Sequence, residues 1–481
     1  MTKDAISTRH GVTWMAGAQA GKILMQLVSI LTLARILPTE DFGLMALAST
    51  VTVFAGLFRD MGTGAALIQK RELTSDLKNA TFLFNMLLGI FFTTIFVLFS
   101  PLVSILFKEP RLVDILLALS PVFTIVPLGV VHQAILERES LFKQVAIIEL
   151  TAASCGLFVA IVVAWQGGGV YALVTQSIVT ALVTTLFLWF VSTWRPTLNF
   201  IWSPLKEIFE FSGNVFLFNL VNYFHRNSDS MLIGRFLGVV DLGFYNIAYR
   251  ILLFPLQNIT LVINRAIFPA YSRSQHNLTL IGEHYLELLE SIAIITAPLM
   301  ALIWVLREPL IVVLLGERWL PAASVLAWLA PVGFFQSMIS TSGSVLNSIG
   351  RADVLRKLGL IGAPLLTLSF VFGLPYGIEG VAAAYCIANF FWVYPVIKTV
   401  LKLLSFSIID FYIVIVKPIT VALFVILFVW ILDESLASLL NQPLIELLLN
   451  IFSGLAMYLI ISWMFMRQSM IRVLGVFWNK S

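Results

Sequence analysis

Long apolar segments alternate with short polar connections along the whole chain. A helix that crosses a membrane needs about 20 mostly apolar residues, and fourteen segments of this kind can be found. The connections are too short to hold a soluble catalytic domain, so the pattern predicts an all-α polytopic membrane protein with fourteen transmembrane helices. The predicted spans cover residues 10–36, 42–67, 79–106, 112–135, 144–165, 170–192, 207–235, 241–268, 283–306, 321–348, 355–374, 379–401, 408–431 and 444–466.

Basic residues lie mainly in every second connection. Lys3, Arg138 and Arg351 are examples on one side, whereas the opposite side has only a few, such as Lys108 and Arg318. Because Lys and Arg collect in cytoplasmic connections, this distribution predicts that the N-terminus and the C-terminus both lie in the cytoplasm. An even number of spans agrees with that orientation.

The composition excludes a soluble protein. Hydrophobic residues make up 59% of the 481 residues and charged residues 12%, against roughly 25% charged residues in soluble domains. We attribute the net charge of +4 to Lys and Arg in the cytoplasmic connections and not to nucleic-acid binding. We therefore expect no nucleic-acid partner. The two cysteines, Cys155 and Cys386, fall in apolar segments, so we expect no disulfide framework, no metal site and no cofactor.

A short motif occurs twice, around the first and the seventh predicted connection. Its residues recur with a constant shift of 200 positions (235 − 35), and the pairs are Arg35 and Arg235, Asp41 and Asp241, and Gly43 and Gly243. The aspartates are well placed to cap the returning helices and the glycines to permit a tight turn. We prefer this structural role to substrate contact.

The repeat predicts two pseudo-symmetric lobes of six helices each. Residues 1–200 would form the N-lobe, residues 201–403 the C-lobe, and residues 404–481 an appended pair of helices with a tail. Six helices per lobe preserve the orientation, so the lobes are related by an axis along the membrane normal. This arrangement is typical of alternating-access carriers, whose substrate site lies between the repeats near the middle of the membrane.

Both lobes begin with a polar stripe inside an apolar span. Three polar residues at positions i, i+3 and i+7 of the first helix share one face, and three more occupy the same positions plus 200 in the seventh. The two sets are Gln19, Lys22 and Gln26, and Asn219, Asn222 and Arg226.

Three further arginines, Arg59, Arg250 and Arg265, lie in or near the spans. Since a charged group at the centre of a bilayer costs at least ~2.5–3.5 kcal/mol, it usually faces a wet cavity. Together with Lys22 and Arg226, these arginines predict a cationic cavity that suits a phosphate or pyrophosphate group. Simpler interpretations are open: Arg59 beside an aspartate in a local ion pair, and Arg265 snorkelling to the surface.

Glu149 and Asp229 are the acidic residues deepest in the predicted spans. Asp229 lies one helical turn from Arg226 and could neutralise it. A charge-balancing role is our preferred interpretation of both residues. Coupling to H⁺ or Na⁺ is the alternative for each.

The order of several short motifs resembles the polysaccharide-transport family of the multidrug/oligosaccharidyl-lipid/polysaccharide exporter superfamily. The motifs lie at residues 33–37, 42–44, 60–72, 138–139, 268–270 and 315–319. The subgroup that they resemble contains exporters of lipopolysaccharide, colanic acid and teichuronic acid.

This resemblance implies a flippase of the bacterial inner membrane, surrounded by membrane lipid. Its substrate would be an undecaprenyl-pyrophosphate-linked oligosaccharide, moved to the outer leaflet for polymerisation. A polymerase and a chain-length regulator of the same pathway would be its partners.

Three other functions remain open at this point. A multidrug exporter of the same superfamily would carry mostly organic cations and should have an acidic cavity. A membrane-bound polymerase or ligase would need a large extracytoplasmic connection with catalytic residues. A scaffold that transports nothing would leave the charged residues in the spans unexplained.

Overall fold

The computed structural model describes most of the chain, and every regular element in the described part is helical. The described residues are 3–60, 63–70, 72–197, 219–220, 222–224, 226–253, 277–437 and 442–478. The α-helices are α1 (Lys3–Ile36), α2 (Thr39–Asp60), α3 (Thr63–Gln69), α4 (Ser75–Phe107), α5 (Leu112–Leu119), α6 (Val122–Ile125), α7 (Pro127–Arg138), α8 (Phe142–Trp165), α9 (Tyr171–Val191), α10 (226–236), α11 (239–253), α12 (Leu278–Val305), α13 (Arg307–Leu315), α14 (Pro321–Ile339), α15 (Ser342–Ser348), α16 (Ala352–Gly373), α17 (Gly377–Leu403), α18 (Ile408–Ala437), α19 (Pro443–Phe465) and α20 (Arg467–Trp478).

Within the described residues, nine helical stretches are long and apolar enough to cross a membrane, or ten if the bent stretch from α5 to α7 is counted as one span. The nine are Thr39–Leu57, Ser75–Phe107, Phe142–Trp165, Tyr171–Val191, Leu278–Val305, Pro321–Ser348, Ala352–Leu403, Ile408–Leu436 and Pro443–Phe465. The chain is therefore an all-helical, multi-pass membrane protein, as the hydrophobic pattern predicted. The total of fourteen spans and the cytoplasmic position of both termini stay predictions.

The fourth predicted span, 112–135, is broken. Its two parts, Leu112–Ile125 and Pro127–Arg138, are bent by 43° relative to each other. Pro127 is the first residue of α7, and proline cannot donate the backbone hydrogen bond that would continue the helix. The sequence pattern gave the length of this segment but not its bend.

The stretch Ala352–Leu403 folds back on itself as a helical hairpin. A Cβ added to Gly362 would lie 2.7 Å from the Trp392 ring, and one added to Gly373 would lie 2.4 Å from the carbonyl oxygen of Gly380. Helices α16 and α17 therefore run antiparallel, and with 22 and 27 residues each is long enough to cross the membrane on its own. Gly377 permits the turn between them because its φ is +72°, a value that glycine adopts without strain.

The chain forms two compact units, Met1–Gly243 and Phe244–Ser481. In the first unit, α1 runs beside α8, with Gly21 against Leu150 and Met25 against Ser154. These contacts advance together along both helices, so α1 and α8 are parallel. The lobes were predicted from the sequence repeat, and division of the chain into compact units does not test them. Their boundaries at residues 200 and 403 therefore stay predictions.

The second unit is built around α12. Tyr285 is fully buried and its hydroxyl lies 2.9 Å from Ser342 Oγ, while Thr296 Oγ1 lies 3.2 Å from Ser337 Oγ. These hydroxyl pairs satisfy polar groups that have no water around them. On another side of α12, Leu302 packs against α19 at Gly454.

Candidate substrate-binding site

The two copies of the repeated motif touch each other inside the first compact unit. A Cβ added to Gly43 would lie 1.6 Å from the carbonyl oxygen of Val239, and one added to Gly243 would lie 2.5 Å from that of Thr39. Thr39 and Val239 are themselves 200 positions apart (239 − 39). The contact is thus reciprocal, as a twofold axis between two equivalent segments requires.

The glycines of the motif serve this helix crossing. Gly43 and Gly243 lie within α2 and α11, so any side chain on them would meet the opposite backbone. The backbone conformation that only glycine adopts easily is found instead at Gly238, with a φ of +101°. The sequence located the motif correctly, but the tight turn that we attributed to its glycines belongs to a neighbouring residue.

Asp41 connects two helix N-termini. It lies in the first turn of α2, and its carboxylate accepts a hydrogen bond from the backbone N–H of Val170, just before α9. A negative charge is favourable at both places because helix N-termini carry unpaired N–H groups. Asp41 therefore caps α9, which begins about 130 positions later in the chain, and also lies at the N-terminus of its own helix. The corresponding Asp241 is half-buried near the start of α11.

The two arginines of the motif differ in their surroundings. Arg35 is exposed near the end of α1. Arg235 is half-buried and its guanidinium carbon lies 5.8 Å from the centre of the Phe236 ring, a favourable cation–π arrangement.

Lys22 forms an ion pair with Glu149 inside the spanning part of the first unit. The ammonium group of Lys22 on α1 contacts a carboxylate oxygen of Glu149 on α8, and the side chains are 34% and 30% exposed. Gly21 allows this approach, because α1 packs there directly against Leu150. The sequence singled out both residues for separate reasons, and the structure brings them together.

The polar stripe continues along α1 beyond the ion pair. Gln26 is exposed one turn further on, and Ser29 accepts a hydrogen bond of 2.9 Å from the side-chain nitrogen of Gln176 on α9. The Gln19 side chain lies outside the described residues. Sequence reasoning missed Gln176, and its only signal was a lone amide within an apolar span.

The stripe of the seventh predicted span is only partly described. Asn219 and Asn222 are half-buried, and Arg226 is exposed at the start of α10. Asp229 is 4% exposed, and its Oδ1 accepts a hydrogen bond of 2.6 Å from the Ser230 backbone. Six residues earlier, the Tyr223 hydroxyl donates to the Thr50 carbonyl at 2.5 Å and ties residues 222–224 to α2.

The remaining predicted cations are distributed as follows. Arg250 is exposed on α11 although Ile247, Ala248 and Leu252 around it are fully buried. The Arg59 side chain and the whole of Arg265 lie outside the described residues. Three of the five predicted cations are thus described, all of them at least partly exposed on the protein surface, and the complete cationic cavity stays a prediction.

These features define a class of protein: a multi-pass membrane protein with a repeated motif and charged side chains inside its spans. The chain belongs to the family of polysaccharide biosynthesis proteins, whose model matches residues 32–324. The family resemblance that the motifs predicted is thereby confirmed.

Two relatives and one solved structure show the range of this similarity. The teichuronic acid biosynthesis protein TuaB of Bacillus subtilis is 27% identical over 74% of this chain and 73% of its own length. The lipopolysaccharide biosynthesis protein WzxC of Escherichia coli is 25% identical over 86% of this chain and 81% of its own length. The inward closed conformation of the lipid II flippase MurJ has a TM-score of 0.76 at 18% identity and covers 94% of this chain and 99% of that structure.

The fold is accordingly the one found in the lipid II flippase MurJ. The protein is not an enzyme, and the polymerase and ligase alternatives are set aside, because its relatives include the succinoglycan biosynthesis transport protein ExoT of Rhizobium meliloti, 27% identical over 77% of this chain and 75% of its own length.

Proposed function

We propose that this protein flips an undecaprenyl-pyrophosphate-linked oligosaccharide across the inner membrane by alternating access, for synthesis of an exopolysaccharide or O-antigen. The observation that carries the proposal is the presence of accessible cations, Lys22 and Arg226, within the helices of a flippase fold. The relatives named above act in the biosynthesis of teichuronic acid and lipopolysaccharide.

The proposed headgroup site uses the cations in different ways. Arg226 presents a planar guanidinium that can donate two parallel hydrogen bonds to a phosphate. Lys22 is neutralised by Glu149. A pyrophosphate with its larger negative charge would compete with Glu149 for the ammonium group. Arg250, Arg59 and Arg265 complete the proposed cationic cavity.

The finer architecture belongs to the same proposal. It comprises fourteen spans, lobes at residues 1–200 and 201–403, a C-terminal helix pair at 404–481, and both termini in the cytoplasm. The reciprocal contact of Gly43 and Gly243 supports the two-lobe repeat, because it relates residues exactly one repeat shift apart. A polymerase and a chain-length regulator would receive the flipped product as partners.

The multidrug alternative predicts the opposite charge at the site. A carrier for organic cations needs a free carboxylate, whereas Glu149 is engaged by Lys22. The nearby Asp229 is 4% exposed, so it is poorly placed to meet a substrate. The scaffold alternative gives no reason for accessible cations at this depth.

The test is translocation in liposomes that contain the purified protein. A short undecaprenyl-pyrophosphate oligosaccharide is placed in one leaflet, and its appearance in the other is followed with and without an H⁺ or Na⁺ gradient. We expect Arg226→Ala to lower the rate by roughly tenfold or more, since a hydrogen bond to a charged group contributes about 1.5–3 kcal/mol. Arg356→Ala is the control, because Arg356 is an exposed cation on α16 outside the stripes.

Equal losses in Arg226→Ala and Arg356→Ala would reject the headgroup site. No translocation by the wild type under any gradient would reject the proposed function, and the same liposomes would then be tested with an organic cation.

A further inference from the structure

The end at which α18 and α19 are joined carries a cluster of polar groups that the proposed function does not use. Asn450 on α19 is fully buried, and its side-chain nitrogen donates a hydrogen bond of 2.5 Å to Asp433 Oδ1 on α18. Glu446 lies one helical turn before Asn450 on the same helix. Residues four apart on a helix are neighbours on its surface, so Glu446 stands next to the Asn450–Asp433 pair.

One atom of this cluster lacks the partner that its chemistry requires. Asn450 Oδ1 is buried and has no hydrogen-bond partner among the described residues. Reversing the amide would not solve the problem, because Asp433 accepts and therefore needs the –NH₂ group. A buried acceptor without a donor costs roughly 1–3 kcal/mol, so the site calls for a group that carries a proton.

No basic residue supplies it. Glu446 is the single charged residue of α19, and Glu434, next to Asp433 on α18, is exposed. Lys417, the lysine of α18, lies 16 positions before Asp433, which is about 24 Å along the helix. The residues connecting α18 to α19, 438–442, include no charged residue in the sequence.

The described residues of the neighbouring helices also provide no free cation at this end of α19. On α13, the Arg307 guanidinium donates to the Trp304 carbonyl at 2.8 Å and lies 3.6 Å from Glu308. Two acidic residues of α12, Glu287 and Glu290, pair with Arg472 of α20 near the opposite end of α19. Within the described part of the chain, the missing donor therefore has to come from Glu446 itself or from solution.

We propose that Asp433, Asn450 and Glu446 form a proton-binding site that links α18 to α19. In the occupied state a proton from water is bound to the Glu446 carboxylate, and the resulting carboxyl group donates to Asn450 Oδ1. Asn450 in turn donates to the Asp433 carboxylate, so the oxygen and the nitrogen of the buried Asn450 amide both have a partner. In the empty state Glu446 and Asp433 both carry negative charge, and Asn450 Oδ1 loses its donor.

This site differs from the acidic residues that the sequence suggested for ion coupling. Glu149 is already neutralised by Lys22, and Asp229 is almost completely buried. Asp433 and Glu446 are both half-buried near the ends of their helices, so protons can reach them from water. Two neighbouring carboxylates favour sharing one proton because their charges repel.

The test is infrared difference spectroscopy of the full-length protein in liposomes, recorded while the pH is changed. We expect a carboxylic acid C=O band that titrates in the wild type and is lost in Glu446→Gln. Asp433→Asn is expected to shift this band, and Glu434→Gln, which removes the adjacent exposed carboxylate, to leave it unchanged. Glu446→Gln keeps the size of the side chain and a donor for Asn450, so the variant should remain folded.

Persistence of the band in Glu446→Gln would overturn the proposal. So would a band that responds at constant pH to replacing choline chloride by sodium chloride, since the site would then bind Na⁺ and not a proton. Neither the Glu446→Gln spectrum nor the sodium exchange uses a lipid-linked substrate. Failure of the flippase proposal would therefore leave this test intact.

Discussion

At the scale of single residues, the ion pair between Lys22 and Glu149 sets the charge of the first polar stripe. Each partner is about one third exposed, so water already screens part of the attraction. Neutralising only one partner leaves a charge within the membrane without its counter-ion, which is the costly outcome. The pair therefore has a stabilising role that is separable from substrate binding.

We predict that Glu149→Gln lowers the stability of the protein by about 1–2 kcal/mol, because Lys22 loses its counter-ion. The double variant Lys22→Gln with Glu149→Gln should recover most of this loss. Thermal unfolding in detergent measures the loss in the single variant and its recovery in the double variant. Gln26→Ala is the control, because Gln26 is exposed on the same helix as Lys22. Equal stability of the single and double variants would contradict the pairing.

His132 is a buried residue whose surroundings allow a prediction about stability. Its imidazole is fully buried, and neither ring nitrogen has a hydrogen-bond partner among the described residues. The ring centre lies 4.7 Å from that of Trp189, 5.1 Å from Trp194 and 6.5 Å from Phe82. Aromatic packing, and not a polar interaction, holds this histidine in place.

His132→Phe should therefore keep or raise the unfolding temperature, since it removes two buried polar atoms and preserves the ring. His132→Ala should lower stability by about 3 kcal/mol, because it leaves a cavity among three aromatic rings. Thermal unfolding of the two purified variants separates these effects. If both substitutions were equally harmful, His132 would have a polar function that the packing does not reveal.

At the scale of helices, the reciprocal crossing of α2 and α11 depends on glycine at two positions. Gly43→Ala would place a methyl group 1.6 Å from the Val239 carbonyl oxygen unless the helices separate. We predict that this substitution strongly reduces the amount of folded protein in the membrane. Gly56→Ala on the same helix is the matched control, because nothing lies within 4 Å of the added Cβ. A normal yield of Gly43→Ala would mean that the crossing tolerates separation.

The sequence predicted individual helices better than their partners. The predicted spans 144–165 and 170–192 agree closely with α8 and α9, since each is one uninterrupted apolar run. The bend between α6 and α7 was missed because length and hydropathy do not distinguish a straight helix from one interrupted at Pro127. The pairing of Lys22 with Glu149 was missed because no sequence pattern states which helices pack together.

At the scale of the whole molecule, the repeat could be predicted and then recognised in the contact of its two copies. A shift of 200 positions in the sequence reappears as the reciprocal approach of residues 39–43 and 239–243. The polar stripes follow the same shift, but their convergence on one substrate depends on packing between helices that are far apart in the chain. The cationic cavity and the two lobes are therefore both proposals, and the contact between the two copies of the motif is the observation that favours the lobes.

The path of the chain through the membrane can be tested at the bent stretch between α5 and α7. Lys108 precedes it and Ser140 follows it, and both are exposed residues with positive φ in the adjoining turns. If α5, α6 and α7 form one broken span, as the positive-inside pattern requires, these two positions lie on opposite sides of the membrane. A re-entrant stretch would place them on the same side.

We predict that a membrane-impermeant maleimide added to intact cells labels Lys108→Cys but not Ser140→Cys, and that Ser140→Cys is labelled only after the membrane is opened. The background is a variant in which Cys155 and Cys386, both in spanning helices, are replaced by serine. Cysteines placed at Lys3 and Arg351 should behave like Ser140→Cys, because the same orientation puts all three in the cytoplasm. Labelling of Lys108→Cys and Ser140→Cys from the same side would remove one crossing, and with it the even number of spans on which the cytoplasmic position of both termini depends.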